Sequence, residues 1–349
     1  MTTQMYGSPS ASPNTFNLEL QLLKHAESVI VIGKFGVQKM QPLNKTDTIY
    51  FPRANPYNVA ANGAPQIDSN DFIIAEGVTP RSHTMDYTYV PATLQQFGYL
   101  MKLTDKTMKM HEMDVSEDMK QQVGEVLGEV AEKAAYGVIR GGTSVIRANG
   151  STRAAINTTI TADHLRLAAR TMKSARGKTV SKSLAAGPNF ATYPVQRSFL
   201  CFHHSDVTAD IQALSGFNFK VNYGTATTPI HEDEHGAWQN FRFIESPLFD
   251  PWLAQGATVA GTTMLAANAT NIDVYPIVVM AEDAWGHISL KGEKNTYTGI
   301  RPSFVSPNEI SAANPLGLFG YVGASFWYTP IRLNENWMTR IEVAVNALA

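Results

Sequence analysis

The sequence predicts an α+β protein, and three features of its 349 residues lead to this fold class. Residues 84–104 alternate in side-chain character as strands do. Residues 115–140 place apolar side chains at helical spacing, and from about residue 195 short strand-like and helix-like segments follow one another. Hydrophobic residues make up 44% of the chain, which is ample for a buried core.

The charge balance argues against a dedicated nucleic-acid-binding or membrane-surface protein. The chain has 28 basic and 30 acidic residues, so it has no general attraction to polyanions. The first residues, MTTQMYGSPSASPN, lack the basic start and apolar segment of a signal peptide, and no stretch reaches the ~18 apolar residues of a membrane helix. We therefore expect synthesis in a reducing cytoplasm and no membrane partner. Cys201, in the apolar run RSFLCFHH, is predicted to be a buried hydrophobic residue and not a nucleophile.

The first 70 residues are predicted to form an N-terminal arm. Residues 1–16 are rich in Ser, Thr, Pro and Asn, and so bury too little surface to offset their ordering entropy. An apolar stretch from 18 to 32 predicts a short helix that turns into a strand. From 37 to 75 the prolines are so closely spaced that no long helix fits between them.

The stretch EGVTPRSHTMDYTYVPATLQQFGYLMKLTD, residues 76–105, predicts a long two-stranded excursion. Its strands are predicted at 84–89 and 99–104, with Pro91 and Gly98 as interruptions. Because such a pair of strands is barely stable alone, it must lie on another surface. The candidate inter-subunit contacts are the large side chains Tyr87, Tyr89, Phe97, Tyr99 and Met101.

Two helices are predicted after the excursion. The first covers residues 115–140, with Asp114 as its cap and Gly141–Gly142 as its end, and would be about 39 Å long. The second covers residues 162–175, capped by Thr161, and its buried face is predicted to consist of Leu165, Ala168, Ala169 and Met172.

The last third of the chain predicts a mixed α/β domain and a terminal pair of strands. The ending GYVGASFWYTPIRLNENWMTRIEVAV reads as two strands around a turn at residues 334–336. We expect these strands to pack against the long helix.

The segment HEDEH matches the H-E-x-x-H pattern of zinc hydrolases, in which His231 and His235 would bind the metal and Glu232 would activate water. That chemistry needs a helix, but Gly236 follows at once, so an exposed acidic loop is the favoured interpretation. His203 and His204 lie beside Asp206, but no nucleophile accompanies them, and a helix cap at Ser205 or Asp206 is expected instead. No catalytic, cofactor-binding or metal-binding residue is therefore predicted.

The order of these elements resembles the Hong Kong 97 fold of tailed-phage major capsid proteins. Four phrases resemble the capsid family of N-four-type phages: EGVTP, TLQQFGYLMKLTD, IDVYPIVVMAEDAWG and RLNENWMTRIEVAV. The resemblance implies five parts: an N-terminal arm (1–70), an extension loop formed by a β-ribbon (71–106), a peripheral domain with the spine helix (107–194), an axial domain (195–318) and C-terminal strands returning to the peripheral domain (319–349).

This resemblance implies a non-enzymatic major capsid protein that assembles as pentamers and hexamers into an icosahedral shell around double-stranded DNA. The expected partners are other copies of the chain, a portal protein and packaged DNA, which is held without sequence-specific binding. A separate scaffolding protein is also expected, because no long charged helical region precedes the arm. The expected location is the virion, assembled in the host cytoplasm. A zinc hydrolase that uses HEDEH, or a tail or fibre subunit, remains an alternative.

Overall fold

The computed structural model describes residues 4–5, 31–55, 67–80, 82–110, 115–184, 192–223, 228–259, 261, 263–268, 270–291, 300–310 and 314–348. The predicted cap Asp114, and nearly all of the predicted arm at 1–16 and the apolar stretch at 18–32, lie outside these residues. The described α-helices are α1 (Asp105–Met110), α2 (Val115–Arg140), α3 (Ala162–Ser174) and α4 (Thr208–Gln212). The mixture of helices and sheets confirms the predicted α+β class.

The strands form three sheets. The described strands are β1 (Gln4–Met5), β2 (Val37–Gln41), β3 (Thr48–Ala54), β4 (Tyr87–Thr93), β5 (Gln95–Thr104), β6 (Val145–Arg147), β7 (Val180–Leu184), β8 (Thr192–His203), β9 (Asn218–Phe219), β10 (Glu234–Trp238), β11 (Phe241–Glu245), β12 (Tyr275–Met280), β13 (Trp285–Leu290), β14 (Arg301–Val305), β15 (Phe319–Arg332) and β16 (Met338–Val343). Six strands make the first sheet, eight make the second, and β3 and β4 make the third.

The chain divides into two compact units. The first contains Met1–Ile49, Ala92–Ala135 and His287–Pro330, and the second contains Tyr50–Pro91, Tyr136–Gly286 and Ile331–Ala349. Each unit joins segments that are far apart in sequence, so the units do not follow the predicted segment boundaries. The division into arm, loop, peripheral domain and axial domain stays a prediction.

The first unit is built on the six-stranded sheet, in which β5 pairs with β15 in antiparallel fashion. The side chains of Met119, Val123 and Leu127 on α2 pack against this sheet, and so bury one face of the helix. On the sheet they meet Leu103 of β5 and four residues of β15: Val322, Ala324, Phe326 and Tyr328. The prediction that 99–104 forms the second strand of the excursion is therefore wrong, because those residues pair with a distant strand.

The observed two-stranded sheet, called the ribbon below, consists of β3, β4 and the chain between them. The backbone N–H of Leu94 donates to the carbonyl of Asp47, and that of Asn55 donates to the carbonyl of Asp86 (both 2.9 Å). These two bonds show that β3 and β4 run antiparallel. The ribbon thus begins earlier in the sequence, at Thr48, than the excursion predicted for residues 76–105.

The second unit is built on the eight-stranded sheet, in the order β6-β16-β12-β8-β11-β10-β9, with β7 paired to β8. The helix α3 packs on this sheet through Leu165, Ala168 and Met172, which are all fully buried. They face alternate residues of four strands, which are Phe199 and Cys201, Phe241 and Phe243, Ile277 and Val279, and Ile341 and Val343. The predicted helix at 162–175 is confirmed to within one residue, and Cys201 is buried as predicted.

The helix α2 ends at Arg140, as predicted, before Gly141–Gly142. The last turn of α2 belongs to the second unit, and its carbonyls accept hydrogen bonds from two arginines of that same unit: Arg332 Nη1 donates to Val138 O (2.6 Å), and Arg340 Nη1 donates to Arg140 O. Cations at a helix C-terminus satisfy these carbonyls and oppose the negative end of the helix dipole.

The two C-terminal strands do not pair with each other. The strand β15 pairs with β5 and β14, whereas β16 pairs with β12 and β6 in the eight-stranded sheet. The predicted turn is present, with Asn334 capping it by accepting from Asn336 N–H (3.2 Å). The predicted packing on the long helix is confirmed for β15, and β16 meets the end of that helix through Arg340.

Within the described residues, no helix is both long enough and apolar enough to span a bilayer.

Candidate assembly surface

The ribbon presents large aromatic side chains to solvent. Tyr50 on β3 and Tyr87 and Tyr89 on β4 are exposed, and Tyr89 keeps 61% of its surface accessible. Among the described strands, the two that carry these tyrosines pair with each other and with no third strand. The predicted contact candidates Tyr87 and Tyr89 are thus available to a neighbouring molecule.

The far end of the ribbon, residues 67–80 and 82–86, is called the ribbon tip. It contains a short 3-10 helix, Ser69–Phe72, capped by Asp68, whose Oδ1 accepts from Asn70 N–H (3.0 Å). The turn that follows ends with Val78 N–H donating to Ala75 O (3.2 Å). Gly77 has φ +77 in this turn, a conformation that favours glycine at the third turn position. The tip is therefore a folded segment with its own turn chemistry.

Six large apolar side chains of the ribbon tip are exposed, although such residues are normally buried. Ile73 is 75% exposed and Ile74 is 64% exposed. The full set is Ile67, Phe72, Ile73, Ile74, Val78 and Met85. Concentrated exposed apolar surface of this kind marks a protein interaction site.

The other three predicted contact residues belong to the interior of the first unit. Phe97, Tyr99 and Met101 are half-buried against the cluster that β5 and β15 form with α2, and the Phe97 ring stacks on Phe326 at 5.5 Å. The prediction that they are inter-subunit contacts is not supported, because pairing with β15 turns their side of β5 toward the helix. Leu100, on the opposite side of β5, is the exposed apolar residue there.

A buried ionic cluster lies at the edge of the eight-stranded sheet. The carboxylate of Glu342 on β16 accepts from Arg153 Nη2 (2.8 Å) and Arg340 Nε (2.9 Å) and pairs with Arg147 Nε (3.4 Å). The Arg153 guanidinium also lies over the Trp252 ring, 3.7 Å from its centroid. Burial alone would raise the pKa of Glu342, but hydrogen bonding by Arg153 and the charges of Arg340, Arg153 and Arg147 hold that pKa below its ordinary value. This cluster ties β6 to β16.

The HEDEH segment forms only part of the predicted exposed loop. His231 and Glu234 are buried, and β10 starts at Glu234. The Glu234 carboxylate accepts from Ile230 N–H (2.6 Å) and Tyr223 OH (2.7 Å), and it pairs with the buried Arg242 (3.3 Å). Glu232 and Asp233 are exposed in a turn, as predicted, but the loop prediction is wrong for Glu234 and His235, because their long-range partners place them in the sheet.

The two histidines of the zinc pattern do not converge. His235 instead meets His203 of β8, with the two Nε2 atoms 2.8 Å apart. His203 Nδ1 donates to the carbonyl of His204 (2.8 Å), which leaves its Nε2 to accept from His235 Nε2–H. Among the residues that the structure describes, no group of three His, Cys, Asp or Glu side chains could hold a metal ion.

The histidine pair is held neutral by its apolar surroundings. The His235 ring stacks on Phe217 at 5.5 Å, and Phe243 lies near both imidazoles. Burial lowers the pKa of His235 to about 4, and burial together with the neighbouring His235 lowers the pKa of His203 to about 3. The pair is a structural element of the sheet.

His204 takes the capping role predicted for Ser205 or Asp206. Its Nδ1 accepts from the backbone N–H of Asp206 (3.1 Å) at the start of a short 3-10 helix. The Asp206 carboxylate accepts from Tyr275 OH (2.8 Å). These groups therefore serve the fold.

Comparisons with known proteins agree with an assembly role. A family model described as phage capsid protein matches residues 87–304, more than half of the chain. A search of curated proteins finds no match.

Solved capsid structures share this fold at low sequence identity. The capsid of Ralstonia phage GP4 is 10% identical, with 92% of each chain covered and a TM-score of 0.64. The capsid chain of cyanophage Pam1 is 13% identical, with 93% of each chain covered and a TM-score of 0.56. The capsid of cyanophage P-SCSP1u is 11% identical, with 91% of this chain and 88% of the cyanophage chain covered and a TM-score of 0.55.

These matches confirm the predicted resemblance to tailed-phage capsid proteins and the predicted Hong Kong 97-like fold. The assignment to N-four-type phages stays a prediction. The chain belongs to the phage capsid protein family.

Proposed function

We propose that the ribbon tip of this major capsid protein docks on a neighbouring copy of the chain when the icosahedral shell assembles. The observation that carries the proposal is the exposed apolar side chains on the ribbon tip, above all Ile73 and Ile74. Covering them would remove apolar surface from water, which stabilises association by about 25 cal/mol per Å² before the costs of ordering are subtracted.

Repetition makes such a contact sufficient for a shell. Each subunit would give one ribbon and receive another, so modest contacts would add around a closed lattice. Weak individual contacts would also let misplaced subunits leave during assembly. We place the subunits in pentamers and hexamers, in keeping with an icosahedral arrangement.

The role is structural, and the chain is a component of the virion. Neither the HEDEH segment nor the His203–Asp206 region supplies a nucleophile with its base or a metal-ligand set within the described residues, so neither supports a hydrolase. A portal protein and a separate scaffolding protein are the expected partners, with packaged DNA held inside without sequence-specific binding and with assembly in the host cytoplasm.

The test compares the wild-type chain with the variant Ile73→Ser/Ile74→Ser. Both are expressed alone and with the neighbouring phage genes, then examined by negative-stain electron microscopy and sedimentation velocity. The wild type should form shells, tubes or rings, and the variant should remain as unassembled subunits with an unchanged thermal unfolding midpoint. A midpoint that does not move shows that the lost contact lies between subunits.

The matched control is Val221→Ser/Leu253→Ser, which removes similar apolar surface from two other exposed positions. It should assemble like the wild type. If the ribbon-tip variant also assembles normally, the tip is not the contact, and if the wild type stays monomeric in both preparations, the assembly role is wrong.

A further inference from the structure

One segment of this chain carries basic residues with no acidic residue among them. Residues 164–205 contain no Asp or Glu, and this leaves the rest of the chain with an excess of acidic residues. The basic residues of the segment are Arg166, Arg170, Lys173, Arg176, Lys178, Lys182 and Arg197. The near-zero total charge therefore conceals a strongly basic region.

The helix α3 puts three of these cations on one exposed face. Leu165, Ala168 and Met172 are buried in the core of the second unit. Arg166, Arg170 and Lys173 follow one another at spacings of four and three residues and are exposed. These three side chains, with Gln239 and Asn240 of the turn between β10 and β11, are called the basic face below.

The basic face borders an open groove of about 580 Å³. The turn residues Gln239 and Asn240 line it together with the three cations, so amide groups stand among the charges. The lining contains no acidic residue. Amides and guanidinium groups are donors that suit phosphate oxygens.

The cations of the basic face are little used within the chain. Asp163 pairs with Arg166 (3.0 Å), and both side chains are largely exposed. The Arg166 guanidinium also lies 5.7 Å from the centroid of the Trp238 ring. Within the described part of the chain, neither Arg170 nor Lys173 has an acidic group at ion-pair distance. Their charge is available to an external anion.

We infer that the basic face binds the phosphate backbone of the packaged double-stranded DNA, without reading its sequence. This inference rests on the proposed function, because a capsid subunit meets DNA inside the shell. Three cations and two side-chain amides line the groove beside Ala169, Ser174 and Phe241, and this concentration of positive charge favours DNA over an acidic protein. Interfaces with DNA are more polar and more positive than interfaces between proteins, whose buried centres are apolar and poor in charge.

The test measures binding of a fluorescent 30-base-pair duplex to the unassembled full-length chain at several salt concentrations. The variant is Arg166→Gln/Arg170→Gln/Lys173→Gln. The matched control, Lys45→Gln/Lys106→Gln/Lys291→Gln, removes the same charge from exposed positions elsewhere. Each phosphate contact contributes about −0.9 to the slope of log K against log salt. The slope of the variant should therefore be less negative than that of the wild type by about two to three, and the slope of the control should equal that of the wild type.

Polyglutamate is the second probe in the same experiment. It should bind more weakly than the duplex at equal charge, and tighter binding of polyglutamate would show an acidic protein as the partner and overturn the inference. Equal duplex binding by the two triple variants, or no duplex binding by the wild type, would overturn it too. If circular dichroism shows that the triple variant does not fold, Arg170→Gln alone should make the slope shallower by about one.

Electron microscopy of the same wild-type sample under assembly conditions separates the two proposals. If shells form but the triple variant binds the duplex as well as its control does, this inference is refuted and the capsid role stands. Absence of any assembly would refute the proposed function whatever the duplex result.

Discussion

The strand β12 and the strand β4 show two opposite ways of placing a strand in this molecule. All six residues of β12 are buried, between β8 and β16 in the eight-stranded sheet. Most residues of β4 are exposed, and β4 has β3 as its one strand partner in the described structure. The first strand is stabilised within its own subunit, whereas the second leaves Tyr87 and Tyr89 exposed to solvent.

The burial of polar groups also differs between the eight-stranded sheet and the ribbon tip. In the eight-stranded sheet, Glu234 pairs with Arg242 and His203 pairs with His235 inside the subunit. On the ribbon tip, Asp71 and Glu76 are exposed to solvent beside the apolar side chains. Buried polar groups need partners, so the sheet is specified internally, and the tip is left free to be specified by a neighbour.

The largest expected effect comes from opening a cavity in the sheet. Phe243→Ala removes a fully buried ring that packs beside the histidine pair, so it should lower the free energy of unfolding by about 3–5 kcal/mol. Chemical denaturation of the unassembled chain measures it. Tyr89→Ala on the ribbon is the control and should change the unfolding free energy by about 0.5 kcal/mol or less. Equal losses in the two variants would erase the distinction between the regions.

The next effect comes from the ionic cluster. Glu342→Gln leaves three arginines without their shared carboxylate, and it should cost about 2–4 kcal/mol, since breaking a buried pair strands the remaining charge. The control Asp163→Asn breaks a pair in which the aspartate is 86% exposed, and should cost about 0–1 kcal/mol. Urea denaturation midpoints of the two variants and the wild type, measured side by side, give the two losses of stability. A loss for Glu342→Gln no greater than for the control would mean that the cluster does not hold β6 to β16.

The smallest effect is a pH dependence that belongs to the sheet. The pKa of His235 is lowered to about 4 in the folded chain, against an ordinary value near 6.5. Between these values the unfolded chain binds the proton and the folded chain does not, so stability falls as the pH drops from about 6.5 to 4, by up to about 1.4 kcal/mol per pH unit. His235→Phe should make this acid dependence shallower, as measured by unfolding midpoints at pH 7, 6 and 5.

Other groups contribute to the same curve, so the comparison with the wild type is what isolates His235. Burial lowers the pKa of His287 to about 4, which acts in the same direction as His235. Burial raises the pKa of Glu132 to about 7, which favours the folded chain as the pH falls. The control His83→Gln alters the exposed ribbon tip and should follow the wild-type curve. An unchanged slope in His235→Phe would show that the pair is not held neutral.

Local signals carried the sequence predictions that succeeded. The helix α2 was predictable to its last residue because its apolar spacing and the Gly141–Gly142 stop are both local. The helix α3 was predictable for the same reason, including its start after Thr161, whose N–H donates to His164 Nδ1 (3.1 Å). The capsid resemblance added the fold, because the order of elements was recognisable.

Partners distant in sequence account for the predictions that failed. Alternation in 99–104 identified two faces of β5, but only pairing with β15 decides that Tyr99 and Met101 face the helix. The charged residues of HEDEH suggested exposure. The partners that hold Glu234 and His235 in the sheet, Arg242 and His203, cannot be assigned from sequence spacing. The exposed Ile73 and Ile74 were missed because burial of an apolar residue is the default expectation.

Amide hydrogen exchange tests the contrast between the ribbon and the sheet most directly. Exchange is followed by mass spectrometry on unassembled subunits and on assembled shells. Peptides from β8 and β12 should be protected in both samples. Peptides covering residues 67–80 should exchange quickly in the free subunit and at least about tenfold more slowly in the shell, because docking removes local opening. Equally fast exchange of residues 67–80 in both samples would contradict the claim that a neighbouring subunit covers the ribbon tip.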